Sequence, residues 1–435
     1  MEPIDKLSRL LNNTPLNAFV GWAMVLLLFL LCIGNFIYGM FMWTILIAFV
    51  ICIIIAPAIM MRKLSVMPSW YFILLAIIPI VGSTTAYYFF STSIPFYLSV
   101  ATIALLLAAE ISWFTSVKMN DRFAILLVIT TTLAISGLLH LLQWLLDMNL
   151  GTVYLLNGRT PEAINDAVMY EFIYAMIAGI VAGLIFGWYF RSDKHAGSIE
   201  VPVLRSQEET NYVTSRPPAP IRKLLGISDE KQKIATRMMQ VVLFILVIAG
   251  ILLKDLSTAV NATTGLALTF VPNIITRKYN ISIDTGLVLW LTLAIFLHSL
   301  GTFALYDNII RWDHVTHALS AFVVAAAGYT LIRAIDIYAD EIYIPPKVLF
   351  LFILLFVLAM GVVWEIIEFV SDELTSGLGY NAILAQHGIG DTMMDLVFDL
   401  FGAIIAATWG TAYLSDISYR LADKFEEVSS KKSIR

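Results

Sequence analysis

Charge and cysteine are both scarce in this sequence. Only 14% of its 435 residues are charged, whereas 59% are hydrophobic, and the mean hydropathy of +0.83 lies outside the usual range of soluble domains. No basic stripe interleaved with aromatic residues is present, which argues against nucleic acid as a partner. Cys32 and Cys52 both lie in apolar runs, so we expect them to pack as small apolar side chains rather than to form a disulfide.

Long hydrophobic runs dominate the rest of the chain. A helix of about 20 apolar residues matches the hydrocarbon thickness of a bilayer, so the sequence predicts an all-α, polytopic membrane protein with about 12 transmembrane helices. The first run is too long for a signal peptide and lacks a small-residue cleavage site, so we expect a permanent span. The predicted spans are residues 16–37, 41–61, 69–90, 94–117, 123–146, 167–190, 236–254, 257–276, 284–306, 314–335, 347–370 and 391–414.

A polar stretch between the sixth and seventh runs divides the chain into halves. It contains Arg216-Pro217-Pro218-Ala219-Pro220 and has the composition of a linker. No soluble catalytic domain is expected. The predicted organisation is an N-terminal six-helix membrane domain at 1–190, a cytoplasmic linker at 191–235, a C-terminal six-helix membrane domain at 236–415 and a cytoplasmic tail at 416–435.

The positive charges predict the orientation of the chain. Arg and Lys are concentrated in the linker and at one end of the predicted spans, as at Arg62-Lys63, Arg277-Lys278 and Arg333. Cytoplasmic loops are enriched in these residues. We therefore expect a multi-pass protein of the cell membrane with both termini in the cytoplasm.

The two halves also resemble each other. Pro57 stands five residues before Arg62, and Pro272 stands five residues before Arg277. A second shared offset relates His140, Gln143, Asp147 and Asp166 to Glu365, Glu368, Asp372 and Asp391. An even number of spans makes two such copies run parallel. The sequence thus predicts two parallel six-helix pseudo-repeats, of which the first, with neutral residues opposite Glu365 and Glu368, is degenerate.

Ionisable residues are concentrated in the second half, at the predicted outer ends of four spans. Helical spacing places several of them on common faces, at intervals of three or four residues. A stripe of this kind must face the bundle interior or a watery cavity. The residues are His298, Asp307, Arg311, Asp313, His317, Glu365, Glu368, Asp372, Asp391, Asp395 and Asp399.

The excess of carboxylates predicts either protonation or a bound cation. Imidazole together with carboxylate suits Zn²⁺, Fe²⁺ or Mn²⁺, whereas carboxylates alone suit Mg²⁺ or Ca²⁺, so the identity of a divalent metal stays open. Inward-facing ligands from several helices are an established way to build such a site. The candidate ligands are His298, Asp313, His317, Glu365 and Asp395. Glu368 and Glu365 are the candidate catalytic residues, and Asp307, Arg311, Asp372, Asp391 and Asp399 are candidate supporting or substrate-binding residues.

Simpler roles compete with these assignments. Asp391 follows Gly390 and has the position of a helix cap, and Asp307 and Asp372 have the positions of solvated loop residues. His314 and His387 are expected at the surface. The alternative for the whole constellation is an interhelical hydrogen-bond network without a ligand.

The C-terminal half resembles the YjdF-like family of bacterial and archaeal inner-membrane proteins. The resemblance covers about residues 270–413 and includes Trp312-Asp313, His317, Trp364-Glu365 with Glu368-Phe369, and Gly390-Asp391-Thr392-Met393-Met394-Asp395. More loosely, the last helix is similar to that of VanZ-like proteins. The resemblance implies a six-span fold but no particular reaction, and the N-terminal half departs from it.

These observations favour a membrane enzyme, a divalent-metal-dependent hydrolase or transferase. We expect an outward-facing site that acts on a lipid-like or lipid-linked substrate taken from the membrane lipid. A cation-coupled or proton-coupled transporter is the alternative, since titratable carboxylates can relay protons. A structural or sensory membrane protein is the third reading.

Overall fold

A computed structural model gives the fold of most of the chain. Nearly all of the described residues are helical. The described residues are 11–85, 93–114, 117–118, 120–192, 228–279, 283–306, 308–309, 311–339, 342–379, 386, 388–413 and 415–433.

The chain divides into two compact units. The first comprises Met1–Ser136, Glu171–Thr210 and Glu341–Pro345. The second comprises Gly137–Tyr170, Asn211–Asp340 and Pro346–Arg435.

Four helices and a short ladder begin the first unit. Thr14 caps the first helix, because its hydroxyl accepts a hydrogen bond from the Asn17 amide. Asn17 in turn donates its side-chain amide to the Pro68 carbonyl at 3.1 Å and accepts from the Trp70 amide at 2.8 Å. These elements are β1 (Leu11–Asn12), α1 (Pro15–Ile37), α2 (Phe41–Met60), β2 (Met67–Pro68, antiparallel to β1), α3 (Trp70–Thr85) and α4 (Ser93–Phe114).

Two long helices follow, α5 (Asp121–Leu150) and α6 (Pro161–Ser192), and one unit boundary falls within each of them, after Ser136 and after Tyr170. The loop that joins them is fixed by Asp147. Its carboxylate accepts hydrogen bonds from the Thr152 hydroxyl and from the backbone amides of residues 154, 155 and 156, at 2.5–2.9 Å. A buried carboxylate with several donors is stabilised as the charged form without a cation, which makes Asp147 a structural residue.

The remaining helices belong to the second unit. Ser228 caps the first of them and Asp255 the second, each through a side-chain oxygen. A π turn (Gly301–Leu305) extends the fourth. The helices are α7 (Asp229–Leu253), α8 (Leu256–Leu268), α9 (Val271–Tyr279), α10 (Thr285–Leu300), α11 (Trp312–Tyr338), α12 (Pro346–Gly377), α13 (Ile389–Tyr413) and α14 (Ser415–Ser433).

Eight helices within the described part of the chain are long and apolar enough to cross a membrane. They are α1, α2, α5, α6, α7, α10 with its π turn, α11 and α12. The predicted all-α, membrane-spanning character is therefore supported, whereas the number of twelve spans and the pseudo-repeats are not confirmed. In the predicted third and fourth spans, α3 has 16 residues and the shorter apolar helix within α4 is Phe96–Ile111. α13 has 25 residues but carries three carboxylates.

The predicted eighth span, residues 257–276, is two helices rather than one. α8 ends at Leu268, and α9 begins at Val271. Pro272 lacks a backbone N–H and would clash with the preceding turn in a helix interior, but it is tolerated in the first turn of a new helix. The break between α8 and α9 follows from this proline.

α11 and α13 approach closely in the second unit. Gly402 of α13 faces the Ala318 carbonyl of α11, so closely that a Cβ at this position would overlap the backbone oxygen. Gly361 of α12 is similarly adjacent to Asp399, since a Cβ there would lie 2.5 Å from the carboxylate. Small residues at these two positions bring the carboxylates of α13 close to α11 and α12.

Candidate metal centre

Asp313 and His317 lie one turn apart on α11, and Asp395 faces them from α13. His317 Nε2 is 3.8 Å from Asp313 Oδ1 and 3.9 Å from Asp395 Oδ1. One ligand atom from each of the three residues lies within 4.8 Å of the others. The spacing of four residues brings Asp313 and His317 to one helix face, as the sequence predicts.

Asp399 lies on the other side of the His317 ring. Its Oδ1 is 3.3 Å from His317 Nδ1, a hydrogen-bonding distance. A carboxylate in this position accepts the Nδ1 proton, which leaves the lone pair of Nε2 directed at Asp313 and Asp395. Metal-binding histidines commonly have such a carboxylate partner on the second nitrogen.

The geometry of the three donors is close to that of a metal site. Ligand atoms around tetrahedral Zn²⁺ stand about 3.4 Å apart, because the bonds are about 2.0–2.2 Å long. The separations of His317 Nε2 from the two carboxylate oxygens, 3.8 and 3.9 Å, therefore need to shorten by about 0.5 Å. Asp395 Oδ1 is also buried without a hydrogen-bond partner within the described residues. A buried anionic oxygen of this kind is costly unless something compensates it, and a cation fits.

His298 lies at the end of α10, close enough to interact electrostatically with Asp313 and His317. Its Nδ1 is 2.8 Å from the Tyr306 hydroxyl, whereas its Nε2 is buried and has no partner among the described residues. The ring of His298 is thereby held by one nitrogen, with the other available to a ligand.

The π turn after α10 produces the contact between Tyr306 and His298. The Tyr306 amide donates to the Gly301 carbonyl at 3.1 Å, five residues earlier, and the extra residue in this turn brings Tyr306 back over the end of α10. A Cβ on Gly301 would lie 2.5 Å from the Tyr306 ring, so only glycine leaves room for it. Short π segments of this kind are frequent at functional sites.

Glu365 of α12 is buried, and a chain of amides holds it. Its Oε2 and its backbone carbonyl both accept from Gln386 Nε2, at 3.2 and 3.1 Å. Gln386 accepts from Asn165 Nδ2 at 2.7 Å, and Asn165 Oδ1 accepts from the Thr392 hydroxyl at 3.0 Å. Glu365 Oε1 is buried without a partner within the described residues. It interacts electrostatically with the carboxylates of α13 but stands outside the three-donor cluster.

Glu368 is one turn further along α12 and half-buried. Its Oε1 accepts from Trp364 Nε1 at 2.8 Å. The Trp364 ring also packs edge-on against His298, with ring centroids 6.0 Å apart. Trp364 therefore fixes the Glu368 carboxylate beside the same group of histidines and carboxylates.

The other predicted residues have varied positions. Asp307 and His387 lie outside the described residues. Arg311 is exposed, Asp372 is half-buried, and Asp391 lies in the first turn of α13, where a negative charge is favourable. His314 is half-buried rather than at the surface as predicted. Its ring stacks on Phe398 at 4.6 Å, and its Nδ1 lies 3.9 Å from Asp395 Oδ1.

Sequence reasoning missed the amide chain behind Glu365. Gln386 lies in the connection between α12 and α13, and Asn165 lies more than 200 positions earlier, on α6. Neither residue has a periodic relation to the carboxylates. Asn165 precedes the predicted sixth span between Glu162 and Asp166, so its polarity does not distinguish it from its neighbours.

Comparison with known proteins supports a membrane protein over the C-terminal half. A family model described as "Predicted membrane protein (DUF2238)" matches residues 234–416. This is the YjdF-like family, so the predicted resemblance of the C-terminal half is confirmed, whereas the similarity of the last helix to VanZ-like proteins is not shown. A second model, described as "Domain of unknown function (DUF8268)", matches residues 5–67.

One curated relative is an "Uncharacterized protein" of Thermotoga maritima, 37% identical over 121 residues. The alignment covers 27% of this chain and 58% of the relative, so the chain spans little more than half the length of that protein. No solved structure matches the chain. The family match and the apolar helices together support a multi-pass membrane protein.

Proposed function

We propose that Asp313, His317 and Asp395 bind one divalent cation. The observation that carries this proposal is the two-sided environment of His317. One ring nitrogen is within 3.3 Å of Asp399, and the other is directed at two carboxylate oxygens at 3.8 and 3.9 Å. Such an arrangement orients a neutral imidazole toward a cation.

Burial of the carboxylates supports a cation as well. Asp395, Asp399 and Glu365 are each less than a tenth exposed. Carboxylates taken out of water need a positive partner or a proton. A divalent cation between Asp313 and Asp395 would offset the nearest two charges, and the imidazole ligand favours Zn²⁺, Fe²⁺ or Mn²⁺ over Mg²⁺.

The reaction that suits this arrangement is hydrolysis or group transfer. Three protein ligands leave a coordination position open, as in catalytic rather than structural sites. When bound, a divalent cation supplies Lewis acidity and makes water a better nucleophile. Glu368, held by Trp364, is placed to accept a proton, and Glu365 is a second carboxyl for proton transfer. His298, whose free nitrogen faces the same region, is either a further ligand or a group that contacts the substrate.

The proposed substrate is lipid-like or lipid-linked, with the membrane lipid as its source. In the proposed topology the protein lies in the cell membrane with cytoplasmic termini, and the metal centre lies toward the outer surface. About 12 spans arranged as two pseudo-repeats remain part of this proposal, with the domain limits given by the sequence at 190, 235 and 415. Apolar residues such as Val357 and Met360 line a cavity together with His317 and Asp399, which supports a substrate with an apolar part.

Transport of protons or cations is the second candidate. Asp391, Asp395 and Asp399 follow one another at four-residue intervals along α13, and a ladder of carboxylates is a known proton path. A transporter needs polar groups across the whole membrane. A site at one depth suffices for an enzyme.

Reconstitution distinguishes the two candidates. The purified protein is placed in liposomes of phosphatidylethanolamine and phosphatidylglycerol, reloaded with Zn²⁺ or Mn²⁺, and assayed for lipid products by mass spectrometry. The same liposomes, loaded with a pH-sensitive dye, report proton flux. We expect metal-dependent lipid products that Asp395→Asn abolishes and the exposed Asp423→Asn preserves. Proton or metal flux without lipid products would contradict the enzyme and favour the transporter.

A further inference from the structure

A cavity of about 400 Å³ lies within the second unit, beside the candidate metal centre. This volume lies within the range of about 300–1,000 Å³ that is typical of small-molecule sites. Helices α8 to α13 contribute to its walls. The titratable residues along those walls are His298, His317 and Asp399, and Trp364 lies beside them.

The part of the cavity away from these residues is apolar. Leu291, Val324 and Val357 line it on α10, α11 and α12. Each of these residues lies about two turns, or about 10 Å, along its helix from a residue at the polar end of the cavity. The pairs are Leu291 with His298, Val324 with His317, and Val357 with Trp364.

The apolar end of this cavity, at Leu291, Val324 and Val357, offers an ion or a water molecule no titratable partner. Apolar cavities stay dry, because a buried water needs two to four polar partners. A proton path would also need titratable groups beyond Asp399, and none of the described residues that line the cavity supplies one. An alkyl chain gains the free energy of apolar burial and is abundant in a membrane.

The polar end provides groups for the head of such a molecule. His298 Nε2 is buried without a partner among the described residues, and its ring is fixed through Nδ1 by Tyr306. The metal centre reaches the same end through His317 and Asp399, which line the cavity. An anionic or carbonyl oxygen at this end would find both a histidine nitrogen and the proposed cation.

We infer that the cavity holds one alkyl chain of the substrate and that His298 Nε2 contacts the oxygen of its head group. This inference rests on the proposed function, because the cation would hold the reacting end of the same molecule. It gives His298 a role in substrate binding rather than as a metal ligand. The ligand class is a single-chain acyl or alkyl amphiphile, or one chain of a larger lipid.

Photo-crosslinking tests the inference. The full-length protein in dodecyl maltoside, loaded with Mn²⁺, is exposed to palmitic acid that carries a diazirine midway along its chain. Peptide mass spectrometry then locates the adducts. We expect adducts on α10, α11 and α12 at the cavity residues, competed by unlabelled palmitic acid. Val324→Phe and Leu291→Phe fill the cavity and should each remove these adducts, whereas Leu351→Phe, on the exposed side of α12, should not.

Metal content measured on the same samples separates the two hypotheses. Loss of adducts with metal retained in the cavity variants supports the chain site. Adducts confined to exposed surfaces, or unchanged by both cavity variants, would overturn it even if the metal is present. Cavity adducts in a protein that binds no metal would support the chain site and overturn the metal centre. His298→Ala should weaken competition by palmitic acid about tenfold, as expected for loss of one hydrogen bond to a charged group, and His140→Ala should not.

Discussion

His317 is the residue on which the proposed site depends, because both of its nitrogens have carboxylate neighbours. Asp399 faces Nδ1 at 3.3 Å, while Asp313 and Asp395 face Nε2. The carboxylates thus have different roles. Two are positioned as ligands, and the third orients the ring that completes the set.

Asp399→Asn should lower the affinity of the protein for the metal without abolishing metal binding. Asparagine can still accept the Nδ1 proton, but it provides less negative charge and can present its amide instead. Substitution of such outer partners commonly costs about 10–100-fold in metal affinity. Titration of the metal-free protein with Mn²⁺, followed by electron paramagnetic resonance, measures the shift. An affinity equal to that of wild type would show that Asp399 does not orient His317.

Glu365→Gln tests whether Glu365 is a metal ligand or a group that transfers protons. Glu365 is held by Gln386 and stands outside the three-donor cluster, so the variant should keep its metal and lose the lipid products of reconstituted liposomes. Elemental analysis of the purified variant gives the first result, and product analysis the second. Loss of metal in Glu365→Gln would instead make Glu365 a ligand, as the sequence also allows.

Helical periodicity explains which parts of the site could be predicted. The pairs Asp313 with His317 and Asp395 with Asp399 are four residues apart, so a single helix face fixes each pair, and the structure brings both pairs together. The contact of His298 with Tyr306 needs a π turn, which a regular period does not predict. The Gln386 contact comes from a loop, where backbone direction depends on the packed helices rather than on local sequence.

At the scale of elements, the close approach of α11 and α13 sets the geometry of the centre. Glycine at position 402 lets α13 touch the Ala318 carbonyl, one residue beyond His317. Pro272 alone does not predict the break between α8 and α9, because a proline can either kink a membrane helix or start a new one. Packing decides between these outcomes.

Gly402→Ala should destabilise the protein and displace α13. The new methyl group overlaps a backbone oxygen that cannot rotate away, and overpacking of this kind costs about 1–3 kcal/mol. Gly390→Ala, also on α13, is the matched control, since a Cβ there meets nothing within 4 Å. Thermal unfolding in detergent compares the two. Equal thermal unfolding midpoints for the two variants would contradict the close contact between Gly402 and the Ala318 carbonyl.

At the scale of the whole molecule, composition predicted the membrane class, and the family match over 234–416 supports it. The number of spans was harder to predict, because carboxylates lower the hydropathy of α13 and a proline divides residues 257–276. The proposed duplication depends on spacing alone. The proposed topology rests on the distribution of Arg and Lys and can be tested separately.

Cysteine labelling tests the topology. In a background with Cys32→Ser and Cys52→Ser, single cysteines are introduced as Lys254→Cys and Glu426→Cys, both at exposed positions. A membrane-impermeant maleimide added to intact cells should label position 254, predicted outside, and should label position 426 only after the cells are opened. The reverse pattern would place the termini outside and the metal centre toward the cytoplasm.

Elemental analysis is the most direct test of the metal centre. Wild type, Asp395→Asn and the exposed control Asp423→Asn are purified in detergent without chelator and analysed by inductively coupled plasma mass spectrometry. We predict near-stoichiometric zinc, iron or manganese in wild type and in Asp423→Asn, and its loss in Asp395→Asn. Absence of metal from all three, or equal metal in all three, would contradict a cation held by Asp313, His317 and Asp395.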